Sequence, residues 1–170
     1  MKHYRKIALV VLATSLLFSC RVNYSLTGAS ISPSTKTIAI PYFQNNASFV
    51  EPTLSRTMTD ALRDYFTTQT NLEQVKSNGD LELQGTITEY SIVPQAIQGN
   101  ETAALNRLRI TVSVKFTNRN DSRQNFEQNF SRFADYSSSV PLTPAIQNTL
   151  IQDITDQLVQ DIFNKSVVNW

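Results

Sequence analysis

The chain has 170 residues, 15 Lys and Arg against 14 Asp and Glu, one His and one Cys. That length suits one compact domain and is enough to bury a core without disulfide or metal support. A single Cys excludes an internal disulfide and a Cys-based metal cluster, and a formal charge of +1 excludes a strongly basic nucleic-acid binder. With 41% hydrophobic and 17% charged residues the composition is that of a folded protein.

The N-terminus comes first in chain order. Met1 to Lys6 is short and basic, Ile7 to Phe18 is uncharged and apolar, and Ser19–Cys20 follows. This is the layout of a secretory signal. The apolar run is too short to span a bilayer of about 30 Å as a helix; the competing reading is a buried core helix. Leu17–Cys20 also resembles a bacterial lipobox, in which cleavage precedes the Cys and the Cys is lipidated, with Phe18 departing from the commonest pattern. The competing reading is an ordinary export signal that leaves Cys20 as a free thiol. Residues 1–19 are therefore expected to be a lipoprotein signal peptide, residues 20–35 the lipidated Cys20 and a Ser-rich tether, and residues 36–170 a single domain. Acyl chains contribute about 0.8 kcal/mol per buried CH₂, and more than one chain gives stable anchoring.

Cleavage there removes Lys2, Arg5 and Lys6, leaving a slight acidic excess, and removes His3, the only histidine. Without His and with Cys20 acylated, Ser-His-Asp and Cys-His chemistry are closed, and no imidazole remains to bind metal. Glycine is too scarce for a phosphate-cradling loop. The expectation is no enzyme activity, no cofactor and no metal. A hydrolase would need a pocket with two close carboxylates.

Lys36 to Phe43 is β-branched and aromatic and predicts a strand, with Pro41 near its end or on an edge. Gln44 to Pro52 predicts a loop. Thr53 to Gln69 predicts a helix: Leu54, Met58, Ala61, Leu62, Tyr65 and Phe66 form one apolar stripe, and Arg56, Thr59, Asp60 and Arg63 fall on the wet side. Thr53 is the expected N-cap. Leu72 to Lys76 predicts a short strand, and Asn78-Gly79 a hairpin turn, since both central residues of a type I′ turn need positive φ.

Asp80 to Ile92 alternates, with a slip near Glu89-Tyr90 that suggests a bulge. Pro94 to Ala104 reads as loop. Leu105 to Asn118 is the clearest strand: Leu108, Ile110, Val112, Val114 and Phe116 alternate with Arg107, Arg109, Thr111, Ser113 and Lys115. After an Asn120-Asp121 turn, Gln124 to Ser137 alternates less well, with Phe126 and Phe130 on one face and Phe133 out of phase. Thr143 to Lys165 predicts a second helix, capped by Thr143 ahead of Pro144. The order β-α-β-β-β-β-α implies an α+β two-layer sandwich: two helices on one face of a mostly antiparallel sheet of four to five strands.

The remaining chemical feature is a row of bases. Arg107, Arg109 and Lys115 share one strand face, with Arg119, Arg123 and Arg132 on the following turn and strand. Such a face can hold phosphate groups, because Arg offers a planar donor fork. It can equally be a polar face turned to water or to a partner.

Four stretches, Tyr24–Ile31, Thr37–Ala47, Asn106–Val112 and Asp161–Lys165, in that order behind the lipobox, resemble the LptE family of lipopolysaccharide-assembly lipoproteins, in a branch distant from the enteric one. The resemblance implies an outer-membrane lipoprotein on the periplasmic side, with two helices on a four-stranded sheet. It further implies a plug and assembly factor inside the LptD β-barrel, helping deliver lipopolysaccharide to the outer leaflet. The implied partners are that barrel, lipopolysaccharide and the membrane holding the lipid anchor, with no nucleic acid. Arg107, Arg109 and Lys115 are the candidate lipopolysaccharide-binding residues on surface chemistry alone. A lipoprotein accessory of another envelope machine, a cell-wall synthase or a secretion pore, is the alternative, since a strand followed by the helix Thr53–Gln69 also resembles modules of such proteins.

Overall fold

The computed structural model describes residues 31–95 and 104–168. The expected signal peptide, Cys20, most of the tether and the loop carrying Gly99-Asn100 lie outside these residues.

Six strands form one mixed sheet: β1 (Thr37–Ala39), β2 (Gln44–Asn45), β3 (Glu73–Val75), β4 (Leu81–Gln95), β5 (Leu105–Asn118) and β6 (Phe126–Ser137). Helix α1 (Leu54–Gln69) follows β2, and α2 (Pro144–Phe163) follows β6 and runs into a wider π turn, Asn164–Val168. The order across the sheet is β3-β1-β4-β5-β6, with β2 also on β4. The two long ladders, β4 with β5 and β5 with β6, are antiparallel, while the short β1 and β2 pair in parallel. The α+β sandwich with both helices on one face is thus present, with one strand more than the upper expectation.

The extra strand has a local cause. β1 pairs with β4 through Ala39↔Glu82, and β2 rejoins it at Gln44↔Thr86. Five steps on one side match four on the other, so β1 and β2 are one strand interrupted at Pro41, which has no N–H for the ladder. The expected strand Lys36–Phe43 therefore stops at Ala39, and pairing resumes inside the expected loop.

The freed backbone groups are taken over by α1. Arg63 donates to the Ile40 carbonyl through Nε (3.1 Å) and Nη2 (2.7 Å), and the Phe43 N–H donates to Thr59 Oγ1 at 3.0 Å. Thr59 is wholly buried and itself donates to the Ser55 carbonyl. The expectation that Thr59 and Arg63 lie on the wet side is corrected: buried backbone groups that leave a ladder need partners, and these two side chains supply them. The Thr53 cap is corrected as well. Its hydroxyl donates to Glu51 Oε1 (3.0 Å) and makes no cap bond. In α2 the cap stands as expected, Thr143 Oγ1 accepting from the Ile146 N–H with Pro144 at the first position.

Asn78-Gly79 does not close a hairpin. β3 and β4 are not neighbours; β1 lies between them, so the link carries the chain across β1. Asn78 has the expected positive φ, 57°. Gly79 is needed for space: a Cβ there would sit 2.7 Å from the Ala39 nitrogen and from the Leu81 carbonyl oxygen. Asp80 then fastens the start of β1, its Oδ2 accepting from the N–H groups of Lys36 (2.8 Å) and Thr37 (3.0 Å) and from the Thr37 hydroxyl.

The core lies between sheet and helices. Leu108, Ile110, Val112, Val114 and Phe116 of β5 are all buried, as the alternation predicts, beneath Met58, Leu62 and Phe66 of α1 and Ile154, Leu158 and Ile162 of α2. Phe163 packs edge-on against both Tyr65 and Phe66, tying the helices together. The register of β4 slips between Ile87 and Glu89, which makes Thr88 the extra residue of a bulge one position before the expected slip. The bulge restores Tyr90 to the helix side, where its hydroxyl accepts from Gln147 of α2.

Candidate functional site

The open face of the sheet, away from the helices, carries the candidate residues. Strand alternation sends Arg107, Arg109 and Lys115 to that face, flanked by β4 and β6. Arg107 stands opposite Val93 and Asp135, Arg109 opposite Ser91 and Phe133, and Lys115 opposite Gln84 and Glu127. Phe133, out of phase in the sequence, is half exposed here, and the Arg107 guanidinium lies 3.6 Å from its ring centre.

The three bases are not one patch. Arg107 and Arg109 are neighbours on the face, whereas Lys115 is six residues from Arg109, about 20 Å along an extended strand. Nor are they alike. Arg107 is engaged bidentately by Asp135 at 2.7 and 2.8 Å, which holds the Asp135 carboxyl below the usual range and raises the guanidinium. Arg109 and Lys115 are exposed and, among the described residues, form no ion pair.

Carboxylates are interleaved with the bases. Glu89 accepts from Ser91 and Thr111 (2.7 and 2.8 Å), and these hydrogen bonds, with the charge of Arg109, hold it low. Glu82 is lowered by Gln84 and then by Arg119. The face is a mixed-charge surface with two open cations, not a uniformly basic one. It can offer separate donor points to anionic groups, and its hydroxyl and amide groups suit polar contacts.

The other bases lie elsewhere. Arg132 points to the helix side and pairs bidentately with Asp161 of α2 (2.6 and 2.8 Å). Arg123 pairs with Asp121 in its own turn. Arg119 bonds Asn78 and Glu82. These partners are acidic or amide groups far away in sequence or in a turn, which strand alternation does not reveal.

A groove of about 460 Å³ between the helices is lined by Asp64 and Asp156 together with Tyr65 and Val159. Both carboxylates are exposed to water, the ordinary setting of solvated surface acids. Among the described residues no group of three or more His, Cys, Asp or Glu is placed to hold a metal, and no helix is long and apolar enough to cross a membrane.

Fold and site together define a small α+β sandwich with a polar, mixed-charge outer sheet face. The family described as "LptE: Lipopolysaccharide-assembly" matches residues 35–166. The chain belongs to the LptE family, and so to the lipoproteins of lipopolysaccharide assembly in the cell envelope.

Among solved structures, the chain is similar to a hypothetical protein from Chlamydia trachomatis (7% identity, 77% of this chain and 98% of that one, TM-score 0.52). It is also similar to a minor lipoprotein from Acinetobacter baumannii (16% identity, 78% and 90%, TM-score 0.49). A third is lipoprotein B from Nitrosomonas europaea (14% identity, 86% and 88%, TM-score 0.49). At these identities the likeness concerns the fold alone. No curated protein matches the chain.

Proposed function

We propose that the protein is an outer-membrane lipoprotein, cleaved after Ser19 and lipidated on Cys20. Its domain from residue 36 onward partners an LptD-type β-barrel in carrying lipopolysaccharide to the outer leaflet. The observation that carries this reading is the family match over residues 35–166. In this role the protein is an assembly and transport partner and performs no covalent chemistry.

The surface chemistry supports the reading. A barrel lumen is polar, and the open sheet face presents Ser, Thr, Gln and Asn around the ion pairs Arg107–Asp135 and Arg119–Glu82. Those pairs can enter a polar lumen already compensated, whereas Arg109 and Lys115 need an anionic or polar partner there, because an uncompensated charge is costly in a low-dielectric site. Arg109 and Lys115 are the cations available to an anionic ligand. Arg107 can reach one only by exchanging Asp135 for it, a swap of one bidentate oxyanion for another.

A mild-detergent pull-down of the tagged protein from outer membranes tests this. A stoichiometric LptD-type barrel is the expected partner. Recovery of a cell-wall synthase or a secretion pore in its place overturns the proposal and leaves the family and fold standing.

A further inference from the structure

Strand β6 carries none of the usual blocks to further pairing. It keeps an unbroken register with β5 from Phe126 to Ser137 and contains no Pro. Of its charged side chains, Arg132 is held by Asp161 and Asp135 by Arg107. The Ser138 N–H donates to the Ala104 carbonyl at 3.0 Å, and bonded pairs of an antiparallel ladder recur at every second residue. The even-numbered residues of β6 therefore bond β5, while Glu127, Asn129, Ser131, Phe133 and Asp135 turn their N–H and C=O groups outward. Among the described residues no strand lies beyond them. On the helix side of this rim, Phe126, Ala134 and Tyr136 are only partly buried.

We propose that the tether segment Val22–Thr27 docks on this rim as a further antiparallel strand. Val22, Tyr24 and Leu26 alternate with Asn23, Ser25 and Thr27, the composition and period of a half-buried strand. The chain arrives at the right end for it. Ile31 packs on the core, and Asn120, in the turn that leads into β6, donates to Thr35 Oγ1 at 3.0 Å. Upstream of Ile31, Gly28, Ala29 and Ser30 reach about 10 Å, which is about two strand spacings. The segment then runs against β6 for about 20 Å. Asn23, Ser25 and Thr27 pair with the outward-turned residues and add their side chains to the polar open face. Val22, Tyr24 and Leu26 close over the apolar rim on the helix side.

The docking has a mechanical consequence, which rests on the lipidation of Cys20 proposed above. Ten residues separate Cys20 from Ile31, a leash of about 35 Å when extended. With Val22–Thr27 in the sheet, Arg21 alone links the acylated residue to the docked strand. The anchor then emerges from the side of the sheet, and the domain meets the membrane in one orientation, β6 nearest, instead of swinging on the leash.

Amide hydrogen exchange of the detergent-purified, lipidated protein tests the docking. The amides of Asn129, Ser131 and Phe133 should exchange roughly tenfold or more slowly than in a variant carrying Val22→Ser, Tyr24→Ser and Leu26→Ser together. Those of Phe130 and Arg132, bonded to β5, should stay equally slow in both proteins. Ser25→Pro, which removes an N–H directed at β6, should also free the outward amides; Tyr24→Pro, whose N–H points away, should free them less. Outward amides that exchange equally fast in wild type and in the triple variant overturn the proposal. Protection that survives the tether changes overturns it as well, and its weakening on dilution would identify a second copy as the occupant. The pull-down from outer membranes reads the barrel partner separately, so either result can fail without the other.

Discussion

The ring of Phe43 fills the space that a side chain at Gly85 would occupy. A Cβ on Gly85 would lie 2.0 Å from Phe43 Cε1 and 2.3 Å from Cζ, and the ring is completely buried. Gly85 lies on the helix-facing side of β4, between Leu83 and Ile87, so the strand gives up one core side chain and the interrupted edge strand returns it. Gly85→Ala should destabilise the domain by about 1–3 kcal/mol, the usual cost of overpacking. Adding Phe43→Leu should recover part of that loss in urea unfolding; strictly additive losses would show that the two positions do not share the space.

Thr59 holds a backbone N–H that the broken strand cannot. Thr59→Val keeps the shape and removes the acceptor, leaving the Phe43 N–H buried without a partner. The expected loss is about 1–3 kcal/mol. Thr59→Ser keeps the hydroxyl and should lose less. Equal losses for Val and Ser would mean that packing, not the hydrogen bond, is what Thr59 contributes.

Asp80 makes the fold sensitive to acid. The N–H groups of Lys36 and Thr37, then the Thr37 hydroxyl and Arg119, hold its carboxyl below the ordinary 3.8. A carboxyl depressed in the folded state stabilises at pH above its unfolded value, and that contribution is lost as pH falls through the folded value. Melting temperature should therefore fall from about pH 4 downward, less steeply in Asp80→Asn, which should melt lower than wild type at neutral pH. Parallel curves for the two proteins would remove Asp80 from the acid response.

The open-face cations can be separated from stability. Changing Arg107, Arg109 and Lys115 together to Gln should weaken lipopolysaccharide binding roughly tenfold or more, if each lost contact is charge-assisted. The fold should stay within about 1 kcal/mol, because the Arg107–Asp135 pair is partly exposed and such pairs contribute little. Unchanged binding would assign these residues to solubility or to partner contact.

The anchor is separable from the domain. Cys20→Ala should release the protein from the membrane fraction while its far-ultraviolet spectrum and melting temperature stay unchanged. Retention in washed membranes would mean that the partner, not the acyl chains, holds it there.

Much of this architecture was legible in the residues. Strand β5 keeps the expected bounds, because five apolar residues at period two between turn signals leave one register. Helix α1 shows its apolar stripe, and Thr143-Pro144 marks the start of α2. What stayed hidden depended on contacts distant in sequence. Thr59 and Arg63 look solvent-facing from α1 alone; only the break at Pro41 gives them buried work. Asn78-Gly79 announces a positive φ correctly but does not say which strands it joins. On the candidate face, alternation places the three bases on one side, yet Asp135, Glu89 and Glu82 come from neighbouring strands whose register no local pattern reveals.

The handover of Ile40 and Phe43 to α1 also decides where the sheet is able to grow. One border consists of two very short strands, with Ile40 O and Phe43 N–H in the gap committed to the helix. The other border is β6, twelve residues long, with no strand beyond it among the described residues. Among the described residues the long open border of the sheet is thus the β6 edge, while the opposite border offers only the short edges of β3 and β2.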